Sequence, residues 1–327
     1  MVTQQELLFN RLSKRYKHLK KWARRTGINA FRLYDRDIPE IALVLDLYDD
    51  AVSGAVYKRP HEVDNESWLL TMKEPIARAL DLPESRIFLK ERRRMKQRQD
   101  TGVQYNRVST RSFYRDVHEK DLRFRVNLSD YLDTGLFLDS RKKRAIIREE
   151  AEGKRVLNLF AYTCSLSVCA AKGGARQVDS VDLSNTYLEW GKVNFALNGL
   201  NAGYDREPLT LIRGDVIQFI SRAEKARNRW DIIILDPPAF SNSKKTRGTL
   251  DIRRDYRDLI QRCLSLLNHA GTLWFSSNAK GVKLEGEEFP GFSVRDMRQE
   301  LTDEDFRGKK TPACYTLKSK SSQVSET

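Results

Sequence analysis

Three absences narrow the field before any motif is read. No stretch of the 327-residue sequence approaches the roughly twenty consecutive apolar residues of a membrane span. The opening MVTQQELLFNRLSKRYKHLKK lacks the uninterrupted apolar segment of a secretory leader. A cytoplasmic chain with reduced thiols and no membrane partner is the expectation. Cysteine is scarce. Cys164, Cys169, Cys263 and Cys314 form no CxxC pair and have no histidine at ligand spacing, so no metal is expected. Two glycine signatures are also missing: Gly-Lys-Ser/Thr, which argues against a P-loop, and Gly-x-Gly-x-x-Gly, which argues against a dinucleotide fingerprint.

Positive charge and apolar residues are plentiful. Lys and Arg number 59 against 45 Asp and Glu, a formal balance of +14, while 40% of the residues are hydrophobic. The length allows two domains with a sizeable core. Such a cationic balance suits an acidic partner, nucleic acid first, because clustered cations attract phosphates and release counterions.

The chain has two grammars. From about Arg155, short β-branched runs alternate with helical patterns, which predicts βαβ units and a parallel sheet. The runs are Arg155 to Phe160, Gln177 to Asp182, Leu209 to Gly214, Asp231 to Asp236 and Gly271 to Ser277. Helices are expected after Ser165, Asn185 and Asp215, and from about Ile252 to Leu267. Residues 128–327 thus read as a doubly wound, Rossmann-like α/β domain, with 318–327 as an unstructured tail. Residues 1–127 read as a smaller basic α+β RNA-binding domain. It opens with an amphipathic helix whose apolar face carries Leu8, Leu12, Tyr16, Leu19 and Ala23 and whose other face carries Lys14, Lys17, Lys21 and Arg25. A solvated face is the simpler reading of those cations; calmodulin-like or membrane-surface docking is the alternative. Two strands, Ala42 to Tyr48 and Ala51 to Tyr57, turn at Asp49-Asp50, and Trp68 to Leu80 reads as a helix packed on them.

The densest charge run, Arg86 to Gln99, holds Arg92, Arg93, Arg94, Lys96 and Arg98. It leads to Tyr105, Phe113 and Tyr114 among further arginines. Cations on phosphates and rings on bases make this a candidate RNA-binding segment; a solvated loop is the competing reading.

In an open parallel sheet, ligands bind beyond the carboxyl ends of the strands. Asp182, Asp215 and Asp236 stand there. A carboxylate after the second strand can accept both ribose hydroxyls of a nucleoside, and one after the third can accept an adenine amino group. The loop after the first strand has no glycine until Gly173, which disfavours a pyrophosphate. An adenosine without phosphates is the expected cofactor, and S-adenosylmethionine fits. Asp236-Pro237-Pro238-Ala239-Phe240 follows a buried strand. Its prolines remove two backbone donors and hold the chain extended, leaving acceptors for a base's amino group, with Phe240 to stack on it. A tight turn with a core phenylalanine is the other possibility.

A string of ordered segments resembles the bacterial 23S ribosomal RNA methyltransferases, most closely the guanine-N7 half of the fused K/L enzyme. The segments are Asn10 to Glu40, Asn127 to Arg141, Leu157 to Ala175, Val181 to Leu200 and Asp236 to Lys244. The resemblance implies a class I S-adenosylmethionine-dependent fold and a 23S rRNA or large-subunit precursor as substrate. It places Phe137, Asp139 and Arg141 over the methionine end of the cofactor, and Phe160, Tyr162, Thr163 and Ser165 along its methionine and ribose. Asp182 and Leu183 would meet the ribose and adenine edge, Asp215 and Val216 the adenine. The chain would be a stand-alone K unit. The family usually reads Tyr-Thr-Gly-Ser in the first loop, and Cys164 stands where that glycine does. If the position needs positive φ, cysteine is strained there; a shifted loop with binding retained is expected.

The acceptor atom follows from what the fifth strand lacks. Carbon 5 of cytosine needs a cysteine that adds to carbon 6, and Trp274 to Gly281 offers serines instead. Guanine N7 needs only its exposed lone pair held in line with the methyl group. Catalysis would rest on Asp236, Pro237, Pro238 and Phe240 fixing an unpaired or flipped base, with Asn278 and Lys280 either as further lining or as a plain strand-end turn. Cytosine or another base nitrogen is the alternative acceptor, and a non-catalytic RNA-binding assembly factor the alternative class.

Overall fold

The structure is a computed structural model, described here for residues 2–57, 65–92, 112–204, 206–238, 240–241 and 250–320. The chain divides into two compact units, Met1–Leu138 with Asp303–Lys309, and Asp139–Thr302 with Lys310–Thr327. The change of pattern in the sequence lies at 127; the division in space lies at Leu138, and it returns 303–309 to the first unit.

The first unit opens with α1 (Gln4–Thr26), whose ends are both specified locally. Thr3 and Glu6 form a reciprocal capping box, and Gly27 closes the helix in the left-handed conformation at φ 71°. Then follow β1 (Ala30–Asp35), β2 (Leu43–Tyr48), β3 (Ala51–Tyr57), α2 (Asn65–Leu80) and β4 (Ile87–Arg92). The strands form one sheet in that order. β2 and β3 are a hairpin in which Asp49 takes φ 60°, as a tight two-residue turn demands. β4 pairs parallel with β3 by way of α2. Leu8, Leu12, Leu19 and Trp22 of α1 and Met72 and Ile76 of α2 share a core with Leu33, Leu45 and Val52 of the sheet. The segment 303–309 is tied in by Asp305, which accepts from the Arg32 amide at 2.9 Å.

Two features depart from the reading of the charge run. Its beginning is β4, where Ile87 is buried and Leu89 packs on the core, a period-two pattern hidden among cations. Beyond it, β5 (Tyr114–Glu119) and β6 (Leu122–Asn127) form a hairpin. Phe113 is not free to stack on a base: its ring lies 4.6 Å from that of Phe88, with the Arg86 and Arg115 guanidinium groups 5.1 and 4.2 Å away. Arg92 ends β4; Arg93, Arg94, Lys96, Arg98 and Tyr105 lie outside the described residues.

The second unit begins with α3 (Arg141–Glu150) and β7 (Arg155–Leu159), then α4 (Ser165–Lys172), β8 (Gln177–Asp182), α5 (Asn185–Leu197), β9 (Gly203–Tyr204), β10 (Leu209–Arg213), α6 (Val216–Lys225) and β11 (Trp230–Leu235). After these come β12 (Phe240–Ser241), β13 (Leu250–Asp251), α7 (Ile252–Ser265), β14 (Leu267–Ser277), β15 (Phe292–Asp296), α8 (Arg298–Leu301) and β16 (Ala313–Ser319). Eight strands form one sheet in the order β15-β16-β14-β11-β7-β8-β10-β9. From β14 to β9 the pairing is parallel. β16 and β15 extend the sheet antiparallel at one edge. Lys318 and Ser319, read from sequence as the start of a tail, are strand residues, because the apolar alternation of β16 seats Tyr315 and Leu317 in the core. The strand order reverses between β7 and β11, and that reversal opens the crevice where such sheets bind ligands.

Candidate active site

The carboxyl ends of four adjacent parallel strands line up β11, β7, β8, β10. They carry in turn Asp236, the loop from Phe160, Asp182 and Asp215.

The loop after β7 makes a tight path. Phe160, Tyr162 and Cys164 all take positive φ, at 59°, 51° and 59°. Strain of this kind persists only where the surroundings over-determine it. Here the Ala161 amide donates to the Val181 carbonyl at 3.0 Å and the Tyr162 amide to Asp182 Oδ2 at 2.9 Å. The Asn194 side-chain amide donates to the Thr163 carbonyl at 2.9 Å. Cys164 therefore takes the left-handed conformation itself, the strain foreseen for it. Room for its side chain comes from α5, where the facing residue is Gly191. Ser165 then begins α4.

Asp182 closes β8 half-buried. Its Oδ1 accepts from the Ser184 amide at 2.8 Å and its Oδ2 from Tyr162. Burial pushes its carboxyl above the ordinary value of 3.8, while amide donations from Ser184, Tyr162 and Leu183 pull the other way. Two carboxylate oxygens offer about four lone-pair sites, so the three amides leave capacity for a further donor. Leu183 follows, half-buried. Asp215 doubles as the N-cap of α6, with Oδ1 accepting from the Gln218 amide at 2.9 Å and Oδ2 still able to accept. Val216 is buried in the core beside Ile220 and Ala223. This donor set fits an adenosine without phosphates: its carboxylates would receive ribose hydroxyls and an adenine amino group and would repel a pyrophosphate.

Asp236 is held by a residue the sequence reading did not single out. Lys143 of α3, buried to 4% side-chain exposure, donates from Nζ to Asp236 Oδ2 and to Ser276 Oγ, both at 2.9 Å. Burial works to lower the Lys143 ammonium, but the charge of Asp236, then Cys314, the Asp236 hydrogen bond and Asp139, outweigh it and the net shift is upward. The lysine thus stays charged, and Asp236, at 33% side-chain exposure, keeps Oδ1 clear of this bond. No local pattern marks Lys143; a lysine on the inward side of an amphipathic helix is the only signal the sequence carries. Pro237 is buried and Pro238 half-buried, while Phe240 enters the short strand β12.

Arg141 is buried at the start of α3, and Asp139 lies in the short helical turn Leu138–Ser140. Phe137 belongs to the first unit and is exposed. Among the described residues, no group of three His, Cys, Asp or Glu side chains has metal-holding geometry, and no helix is long and apolar enough to cross a membrane.

A family model described as S-adenosylmethionine-dependent methyltransferase matches residues 78–289. Ribosomal RNA large subunit methyltransferase K of Neisseria meningitidis serogroup B is 43% identical over 317 residues, covering 95% of this chain and 87% of that protein. The K/L protein of Stutzerimonas stutzeri is 42% identical over 305 residues, 92% of this chain and 40% of that longer protein. Among solved structures, a methyltransferase, SMU.776, complexed with SAH has the same fold, with TM-score 0.74, 23% identity and coverage of 97% and 82% of the two chains. A SAM-dependent methyltransferase from Streptococcus mutans follows at TM-score 0.69 and 22% identity, with the same coverage.

Proposed function

Since this chain belongs to the S-adenosylmethionine-dependent methyltransferases, we propose that it methylates guanine N7 in large-subunit ribosomal RNA. The substrate class rests on relatives above 40% identity that are ribosomal RNA large subunit methyltransferases. The acceptor atom rests on chemistry in the crevice.

The observation that carries the choice of atom is the state of the cysteines. All four are buried. Cys314, which pairs in register with Ser276, is the one nearest the Asp236 pair in electrostatic terms, and burial pushes its thiol up to about 12. Burial likewise raises Cys164 and Cys263. A thiol that stays protonated at neutral pH is a poor nucleophile for carbon 6 of a pyrimidine. A purine nitrogen with its own lone pair needs no such help.

S-adenosylmethionine supplies an electrophilic methyl group on a sulfonium centre. The residues of the chain supply position and charge. Asp182 and Asp215 hold the adenosine, and the strained loop from Phe160 to Ser165 lines its methionine side. Asp236 Oδ1 accepts from the base's amino edge, while Lys143, itself anchored on Ser276, fixes the carboxylate so that it need not reorient. Pro237 and Pro238 present carbonyls without competing amide donors. No proton has to leave for N7 to react. As the purine becomes cationic, the fixed carboxylate stabilises the developing charge. Asp139 and Arg141 cover the methionine end, and the cations of the Arg92 to Arg98 segment contact RNA phosphates.

Labelled S-adenosylmethionine and 23S rRNA test the reading. Label should enter the RNA with the wild-type protein and fall to background with Asp236→Asn; no incorporation by the wild type, on naked rRNA or on precursor particles, overturns it.

A further inference from the structure

The exposed side of α1 carries charge that the fold does not use. The helix has eight Lys or Arg residues and one carboxylate, Glu6, which is spent in the capping box. Its cations are sorted by side. Arg11 and Arg15 reach Asp37, at 2.7 and 3.6 Å, and His18 meets Glu304 at 3.0 Å. Lys14, Lys17, Lys21, Arg24 and Arg25 are exposed, and among the described residues none has an acidic partner. At 100° per residue these five fall within about 100° of arc, opposite the face formed by Leu8, Leu12, Leu19, Trp22 and Ala23. Lys14 to Arg25 covers about 16 Å of helix axis. At its end Lys120, exposed at the β5–β6 turn, donates its amide to the Gly27 carbonyl at 2.6 Å, so the cationic track continues off the helix.

A helix face that is merely solvated mixes signs, because neighbouring like charges at three- and four-residue spacing each cost about 0.2–0.5 kcal/mol. Here several such pairs stand uncompensated. A membrane surface or a peptide-groove partner would need the apolar face, and that face is buried in the core of the unit. A polyanion needs only the charged one.

We propose that this stripe, Lys14, Lys17, Lys21, Arg24 and Arg25 with Lys120, is a sequence-independent docking track for the RNA phosphate backbone, separate from the site that reads the base. It rests on the reading of the protein as an RNA methyltransferase, and it assigns the first unit a share of substrate affinity. It meets phosphates alone, so it adds affinity and strong salt dependence without specificity.

The test compares the wild type with a variant carrying Lys14→Gln, Lys17→Gln, Lys21→Gln, Arg24→Gln and Arg25→Gln, and with one carrying Lys14→Arg, Lys17→Arg and Lys21→Arg. Affinity for poly(U) and for 23S rRNA is measured from 50 to 300 mM salt, alongside S-adenosylmethionine binding. In the glutamine variant the slope of log affinity against log salt should be shallower by roughly 2–3.5, at about 0.7 for each phosphate that is no longer neutralised. KM for rRNA should rise at least tenfold with kcat retained at saturating RNA, and cofactor affinity should not move. The arginine variant should behave as wild type. An unchanged slope and KM in the glutamine variant overturns the track, as does loss of binding to phosphatidylserine vesicles with RNA binding intact. A wild type that methylates no RNA would instead sink the functional reading; poly(U) binding still reports on the track.

Discussion

Cys164 and Gly191 share one space: a Cβ built on Gly191 would stand 2.5 Å from the Cys164 Sγ and 2.9 Å from its Cβ. The thiol, fully buried, occupies the volume that a side chain on α5 would take. A cysteine in a left-handed loop position is thus accommodated by the absence of a side chain two elements away.

The pair predicts a sign reversal. Gly191→Ala alone should destabilise the protein by about 1–3 kcal/mol, because the new methyl overpacks against the thiol. In a Cys164→Gly background the same change should be neutral or stabilising, since alanine is the better helix former by about 1 kcal/mol and the space is then vacant. Thermal unfolding of the four proteins gives the coupling. Additive effects would show that the two residues do not compete.

Lys143 offers a second test, on positioning. Lys143→Met keeps the unbranched apolar stem of the side chain, one atom shorter, and removes the bonds to Asp236 and Ser276. Methyl transfer should fall on the order of tenfold or more, as the carboxylate is no longer held in one orientation. Lys143→Arg, which keeps the charge, should recover part of the rate. Steady-state kinetics with S-adenosylmethionine binding measured alongside check it: kcat should fall in Lys143→Met while cofactor affinity holds. Equal rates in wild type and Lys143→Met would remove Lys143 from the mechanism.

Asp182 gives a pH dependence with a definite sign. Its carboxyl is raised above 3.8 by burial, so the folded protein holds that proton to higher pH than the unfolded chain does. Stability of the protein alone should therefore fall as pH rises from 3.8 through the raised value, because the unfolded state gives up its proton first. Cofactor binding should run the other way, since ribose hydroxyls donate to the ionised form. Affinity for S-adenosylmethionine should weaken as pH drops through the raised value. Calorimetric titration against pH reads this, and Asp182→Asn should bind weakly with no such slope; an unaltered slope in that variant would assign the effect elsewhere.

Much of the second unit is legible in the sequence because its strands are buried on both faces and read as unbroken apolar runs, as in Ile232 to Leu235. The aspartates at their ends are legible for the same reason: each follows such a run. β16 and β4 are not: β16 alternates apolar with polar residues over a short span, and β4 is a three-residue apolar run, Ile87 to Leu89, set among cations, whose inward side is visible only once β3 is known to lie beside it. Lys143 and Gly191 escape a reading of motifs for another reason. Each matters through a partner at 93 or 27 residues' separation, Asp236 and Cys164, and no local pattern encodes that distance. The stripe on α1 lies between these cases: its cations are plain in the sequence, but only the structure shows which of them the fold consumes.

The central claim concerns one atom of one base. Large-subunit RNA methylated in vitro by this protein, digested to nucleosides and resolved by mass spectrometry, should yield 7-methylguanosine as the sole new species, with strand scission at that nucleotide after borohydride and aniline. Appearance of the methyl group on cytosine carbon 5, or on any atom other than guanine N7, would contradict it.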